Sequence, residues 1–343
     1  MISARFFKRV RACVGATDTE LVEVSKDNAV IVPALEVAIG SRRRTNMKRR
    51  EFLQAVGLTA AAGVIDEAAD AQGSKVIAEQ MTVPISDRGI TDRADDYQIL
   101  LKKGYGHIGR IGFLSPGIVD ETLSAQWYRM APHGVTLVRT SLELKDVTVN
   151  EVNAALARTE KASTELGKYR PDCIIFGGSP TVAVPGHGFE KTVVEKIEKA
   201  SGRKAFSAQT AAIEALQKYR AHKLALATPF PDNVNAMVKE YLEKSGFEIL
   251  SIRGSGVAYL DLTLTPLQKS WDLGKQVFEE AKSADALYFP GAPQPCVDII
   301  DALEKELGTF VISSLQASLW KALQIIGYDV PITGYGKLLR NVG

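Results

Sequence analysis

Eight short runs rich in β-branched and aromatic residues, interleaved with segments of helical period, constrain this chain more than any other feature. They fall at 108–114, 135–140, 173–176, 204–207, 223–227, 248–252, 286–289 and 309–313. Several are apolar throughout, so both faces need covering, as in a parallel sheet held between helix layers. Apolar residues recur at helical spacing over 149–166, 190–201, 210–219, 232–245, 267–283 and 297–307. The alternation predicts an α/β fold that breaks near 220–222 into two halves of four strands. Each half has one glycine-bearing strand end, Phe176-Gly-Gly-Ser-Pro180 and Phe289-Pro-Gly-Ala-Pro293. Open parallel sheets bind ligands beyond the carboxyl ends of their strands, so both turns are expected to face a cleft between the halves.

Composition has to be read without the N-terminus. Lys48-Arg49-Arg50-Glu51-Phe52-Leu53, the apolar stretch 55–65 and the small-residue site Ala69-Asp70-Ala71 together read as a twin-arginine export signal. This predicts a leader over 1–71, with the signal at 47–71, a start at Met47, cleavage after Ala71 and a periplasmic product. A short amphipathic helix with a basic edge is the alternative. The apolar stretch is too short to span a bilayer and no later one is long enough, so no stable membrane anchor is expected. From Gln72 onward 31 basic residues face 31 acidic ones, and no basic stripe is interleaved with aromatics. That balance argues against nucleic-acid binding. Residues 72–107 show no clear period and read as an N-terminal arm. Cys173 lies in an apolar run and reads as a buried free thiol, although a periplasm permits disulfides. The histidines and the two cysteines beyond the leader show no metal-ligand spacing, and no cofactor is expected.

Residues 227–235 (ATPFPDNVN) and 311–327 (VISSLQASLWKALQIIG) resemble signatures of one enzyme group. It is the maleate cis-trans isomerase and arylmalonate decarboxylase branch of the aspartate/glutamate racemase superfamily. The resemblance runs from Arg110-Ile-Gly-Phe-Leu-Ser-Pro116 to the C-terminus. It implies two pseudo-symmetric Rossmann-like lobes with four-stranded parallel sheets and a cleft between them. Lobe 1 would comprise 108–222 plus 315–343, lobe 2 would comprise 223–314, and the C-terminal helix 315–326 would return to pack on lobe 1. Enzymes of this kind use one or two active-site thiols, as proton carriers or as a nucleophile, and need their pKa lowered. A gap-free reading against the family pattern puts Gly178 and Gly291 at the two cysteine positions. It also puts Val119 at an asparagine position and Phe230 at a tyrosine position, so polar or nucleophilic atoms are lost at all four.

What remains resembles a carboxylate-binding framework. Gly177-Gly178-Ser179-Pro180-Thr181 offers backbone N–H groups and two hydroxyls, which suits an anion. Read alone, the same turn is a strand-to-helix connection that needs glycine conformations. Ser313, Ser314 and Gln316 would add donors at the last strand end. The resemblance implies Pro116, Gly117, Gly178, Ser179, Thr181, Phe230, Gly291, Ala292, Ser313 and Ser314 as the set around a small carboxylate. Cys296 is expected at a helix start, where the N-terminus lowers a thiol pKa, and reads either as a displaced catalytic thiol or as a buried cap-region cysteine. His187, in Pro185-Gly-His-Gly188, reads either as a second catalytic candidate covering the cleft or as a solvated loop histidine. Three functions fit these residues. The first is a decarboxylase- or isomerase-like enzyme acting next to the carboxylate of a small malonate- or maleate-type acid without the usual thiols. The second is a periplasmic small-carboxylate-binding protein, and the third is a structural partner whose cleft has lost its ligand.

Overall fold

The computed structural model describes residues 99–118 and 121–343. The export signal at 47–71, the arm as far as residue 98, and Val119 lie outside the described residues. Two four-stranded sheets form the frame. The first has the order β2-β1-β3-β4, from Val135–Leu144, Gly109–Gly117, Cys173–Phe176 and Lys204–Ser207. The second repeats that order as β6-β5-β7-β8, from Glu248–Gly254, Lys223–Thr228, Ala286–Phe289 and Phe310–Ser313. Every neighbouring pair is parallel.

The interior strands explain the apolar runs. β3 (CIIF) and β7 (ALYF) are buried at every position, because helices cover both of their faces. Both strands begin with the same device. Asp172 accepts from the Arg110 N–H at 2.8 Å, and Asp285 accepts from the His222 and Lys223 N–H groups at 2.8 Å each. Each carboxylate pins the start of its own strand to the first strand of its own lobe.

From β1 onward the helices are α1 Glu121–Met130, α2 Val149–Lys168, α3 Ser179–Ala183, α4 Phe189–Ser201 and α5 Ala208–Lys218 in the first half, and residues 99–103 of the expected arm are also helical. They continue as α6 Asp232–Lys244, α7 Leu267–Glu279, α8 Ile300–Leu307, α9 Ser314–Ile325 and α10 Gly336–Arg340. Side-chain caps start several of them: Thr148 accepts from the Glu151 N–H at 3.2 Å and Ser207 from the Thr210 N–H at 2.9 Å. Ser313 and Gln316 close a reciprocal capping box at the start of α9. α9 then lies against α5 and β3 of the first half, with an ion pair from Lys321 to Glu214.

Some elements depart from the sequence reading. α1 carries buried Leu123, Trp127 and Met130 at i, i+4 and i+7, a period short enough to pass as part of a loop. The expected helix 297–307 opens instead as a 3₁₀ turn, Val297–Ile299, and α8 begins only at Ile300. A second 3₁₀ turn, Tyr259–Leu264, follows β6. Cys173 and Cys296 are both buried free thiols. Among the described residues no helix is long and apolar enough to cross a membrane.

Candidate functional site

Gly178 and Gly291 arrive at one cleft from opposite halves of the molecule. The first half contributes Phe113, Pro116, Leu123, Leu144, Val147, Gly178, Pro180 and Thr181 to its lining. Phe230, Tyr259, Gly291, Ala292 and Pro293 close it from the second half. The space is about 440 Å³ including the solvent-facing mouth, and its walls are almost wholly apolar.

Local structure explains how each wall is held. β3 runs straight into Gly177, whose N–H donates to the Leu114 carbonyl at 3.0 Å, and Gly178 then turns the chain at φ +91° into α3. A Cβ on Gly178 would lie 2.6 Å from Pro116 Cγ. On the other side Gly291 stands at φ +104°, where a Cβ would meet Pro229 Cγ at 2.6 Å and Phe230 Cζ at 3.2 Å. Both positions combine a backbone region that L side chains rarely adopt with no room for one.

The 227–235 segment, which joins the end of β5 to the first turn of α6, is bonded to itself. The Thr228 hydroxyl donates to Asn235 Oδ1 at 2.6 Å, Asn235 Nδ2 donates to the Phe230 carbonyl at 3.1 Å, and the Phe230 N–H donates to Thr228 Oγ1 at 3.2 Å. All three residues are buried, so this network fixes the Phe230 ring against the cleft.

Several of the expected polar groups already have partners in the protein. The Thr181 hydroxyl lines the cleft but donates to the Gly177 carbonyl at 2.9 Å and the Gly178 carbonyl at 2.5 Å. The Gly291 N–H donates to Ser314 Oγ at 3.0 Å, and Ser313 Oγ accepts from the Gln316 N–H at 3.1 Å. Gln316 itself donates to the Tyr335 carbonyl. Ser313, Ser314 and Gln316 therefore build the wall behind Gly291 and do not line the cleft. Gly117 is also absent from the lining, and its carbonyl accepts from Ser141 Oγ at 2.7 Å.

Ser179 is buried and outside the lining. Its Oγ lies with the Tyr288 hydroxyl and Gln209 Nε2 in a fully enclosed polar cluster, close enough to influence the Tyr288 phenol, yet none of the three atoms completes a well-formed hydrogen bond. Burial outweighs both neighbours and raises the Tyr288 pKa above the usual phenol range.

The two catalytic candidates also stand apart from the cleft. Cys296 is 2% exposed, and burial pushes its thiol up to about 12, against the helix-terminus lowering that its position suggested; Ser313 offsets this only in part. Cys296 does cap a helical turn, the 3₁₀ turn Val297–Ile299, but burial decides its thiol, and the neighbouring Asp298 carboxylate raises it further. His187 is exposed and rests its ring on Tyr241 of α6, with ring centroids 5.3 Å apart. Pro116, Gly178, Thr181, Phe230, Gly291 and Ala292 are the expected site residues that the fold brings together.

The sequence reading missed the rest of the lining. Pro180 and Pro293 flank the two glycine turns and were within reach of that signal, as was Leu123 from the period of α1. Tyr259 has no local signal. It enters from the 3₁₀ turn after β6, and besides Thr181 it is the one described lining residue with a side-chain hydroxyl.

Fold and cleft together define a two-lobed α/β protein with an apolar cleft where its sheets' carboxyl ends meet. The chain belongs to the arylmalonate decarboxylase family, whose model matches residues 118–339. It is 27% identical over 248 residues to the maleate isomerase of Nocardia farcinica, covering 68% of this chain and 96% of that protein. It is 23% identical over 203 residues to the arylmalonate decarboxylase of Bordetella bronchiseptica, covering 59% of this chain and 85% of that one. Among solved structures it resembles the maleate isomerase Iso of Pseudomonas putida, with a TM-score of 0.64 at 19% identity over 68% of this chain and 99% of that one. It also resembles the Nocardia farcinica maleate cis-trans isomerase in a cysteine-to-serine variant with a covalently bound succinylcysteine intermediate. There the TM-score is 0.60 at 26% identity over 68% of this chain and 98% of that one.

Proposed function

We propose that this protein is an enzyme of the decarboxylase or isomerase kind, acting at the carbon next to a carboxylate of a small malonate- or maleate-type acid without a thiol in its cleft. The observation that carries this reading is the meeting of Gly178 and Gly291 across one apolar cleft, with neither described cysteine in the lining. Burial also holds the Cys173 and Cys296 thiols at about 12, which deprives both of the thiolate that nucleophilic or proton-transfer chemistry uses.

The lining favours a malonate-type acid with an apolar substituent. Phe113, Leu123, Leu144, Val147 and Phe230 suit an aryl or alkyl group. A carboxylate pressed against such walls loses water, and its departure as neutral carbon dioxide relieves that loss. The bond to the carboxyl carbon breaks, its electron pair stays on the substrate as an enediolate, and a proton is then delivered to carbon. Tyr259 or a water at the cleft mouth supplies that proton. The second reading, a small-carboxylate-binding protein, is favoured by the scarcity of protonable side chains among the described lining residues.

Incubation with phenylmalonate and with maleate separates the readings. Carbon dioxide release from phenylmalonate, or maleate converted to its trans isomer, supports the enzyme. Calorimetric binding without turnover supports the binding protein, and neither binding nor turnover overturns both. Export by the twin-arginine route belongs to the same proposal, and expression from Met47 is expected to yield a periplasmic protein whose first residue is Gln72.

A further inference from the structure

One face of α1 reaches the second half of the molecule at three successive turns. Thr122 Oγ1 donates to the Thr263 carbonyl at 3.3 Å, and Arg129 pairs with Asp298. Between them stands Gln126, which is 4% exposed and occupies all four hydrogen-bonding sites of its amide. Its Nε2 donates to the Ala292 carbonyl at 3.0 Å and the Gln294 carbonyl at 3.2 Å. Its Oε1 accepts from the Cys296 N–H at 2.8 Å and the Val297 N–H at 3.1 Å. One side chain from the first half thus holds four backbone groups of the segment 292–297 in the second.

That segment begins inside the cleft wall, where Ala292 and Pro293 follow Gly291 in the lining. Leu123, three residues before Gln126 on the same helix, lines the opposite wall. A single helix therefore supplies one wall and fixes the other. Donors at one end of the amide and acceptors at the other also set the orientation of the side chain, since a flipped amide would oppose like to like at every contact.

We propose that Gln126 is the positioning residue of this cleft, setting the separation of its two walls through the segment 292–297, on the reading that the cleft is the ligand site. Two variants of the full chain separate its two functions. Gln126→Met removes every bond. Gln126→Glu keeps an acceptor for Cys296 and Val297, yet turns a carboxylate toward the Ala292 and Gln294 carbonyls and loses the donor. Protonation of that carboxyl gives the donor back.

Amide exchange across 292–297 and calorimetry with phenylmalonate between pH 5 and 8 read the two functions, after circular dichroism has shown that each variant is folded. In Gln126→Met the Cys296 and Val297 amides are expected to exchange about tenfold faster or more, and in Gln126→Glu they stay protected at high pH. The phenylmalonate affinity of Gln126→Glu, taken as a ratio to wild type at each pH, is expected to fall about tenfold at pH 8 and to recover as the pH drops. A merely structural role would not produce that recovery. An affinity ratio flat at one across the range overturns the proposal, as does unchanged exchange in a folded Gln126→Met. If Gln126→Met does not fold, the pH dependence of Gln126→Glu decides alone. If wild type binds no phenylmalonate, the ligand reading fails and the exchange arm still decides whether Gln126 holds the loop.

Discussion

At Gly178 and Gly291 the backbone stands at φ +91° and +104°, and the space for a Cβ is filled by Pro116 in one case and by Pro229 and Phe230 in the other. Any L residue there meets both strain and a clash. Gly291→Ala is expected to destabilise the fold by about 1–3 kcal/mol, measured by chemical denaturation, because a strained backbone region of this kind costs that much even before the clash. Gly291→Cys, the change suggested by the family pattern, meets the same obstacle, so it is expected to lower stability and to restore little proton transfer. The existing thiols are no substitute. With pKa values pushed up to about 12, roughly one molecule in ten thousand carries either thiolate at pH 8. Iodoacetamide at pH 8 should leave Cys173 and Cys296 unlabelled in the native protein and label both after denaturation, as read by mass spectrometry.

At the scale of elements, strand ends and helix starts are fixed by a few polar side chains. The Thr228–Asn235 network and the Ser313–Gln316 capping box lie within the two signature segments, 227–235 and 311–327, and the structure gives each a mechanical reason. Glu304 on α8 joins three elements: it accepts from the Val311 N–H of β8 at 3.3 Å and from the Lys337 N–H of α10 at 2.8 Å, and it pairs with Arg340 at 3.4 Å. Burial nevertheless prevails over these partners and raises its pKa. A raised carboxyl binds its proton more tightly in the folded than in the unfolded state. Its contribution is complete below the unfolded value of about 4.3 and is lost as the pH rises through the folded value. A glutamine amide does not titrate, so the stability of Glu304→Gln relative to wild type is expected to improve as the pH rises from about 4 and then level off. Denaturation midpoints across that range check the sign.

At the scale of the whole molecule, two copies of one strand order meet with their glycine turns facing, and α1 and α9 tie the halves together. A ligand that occupies the cleft binds the folded state alone, so phenylmalonate at a hundredfold excess over its dissociation constant should stabilise the protein by about 2.7 kcal/mol, which thermal unfolding detects. Much of this frame was legible in the chain. Short, mostly apolar runs such as 173–176 and 286–289, alternating with segments of helical period, fit strands of a parallel sheet covered on both faces, so the alternation pointed to the α/β class and the two halves. The glycine turns could be placed at the cleft for the same reason, since they close equivalent strands. What each polar side chain does was not legible. Ser179, Ser313, Ser314, Gln316 and Cys296 are each a few residues from the cleft in sequence, yet all five are buried outside its lining, and only packing decides which way a side chain faces. Gln126 and Tyr259 reach the cleft region from segments with no local sign of it. The sequence by itself determined the strands, their succession along the chain and the two glycine turns, because these follow from burial and backbone period; the strand order within each sheet and the chemistry of the cleft were decided by the tertiary structure, because neighbours and hydrogen-bond partners distant in sequence are assigned only when the chain packs.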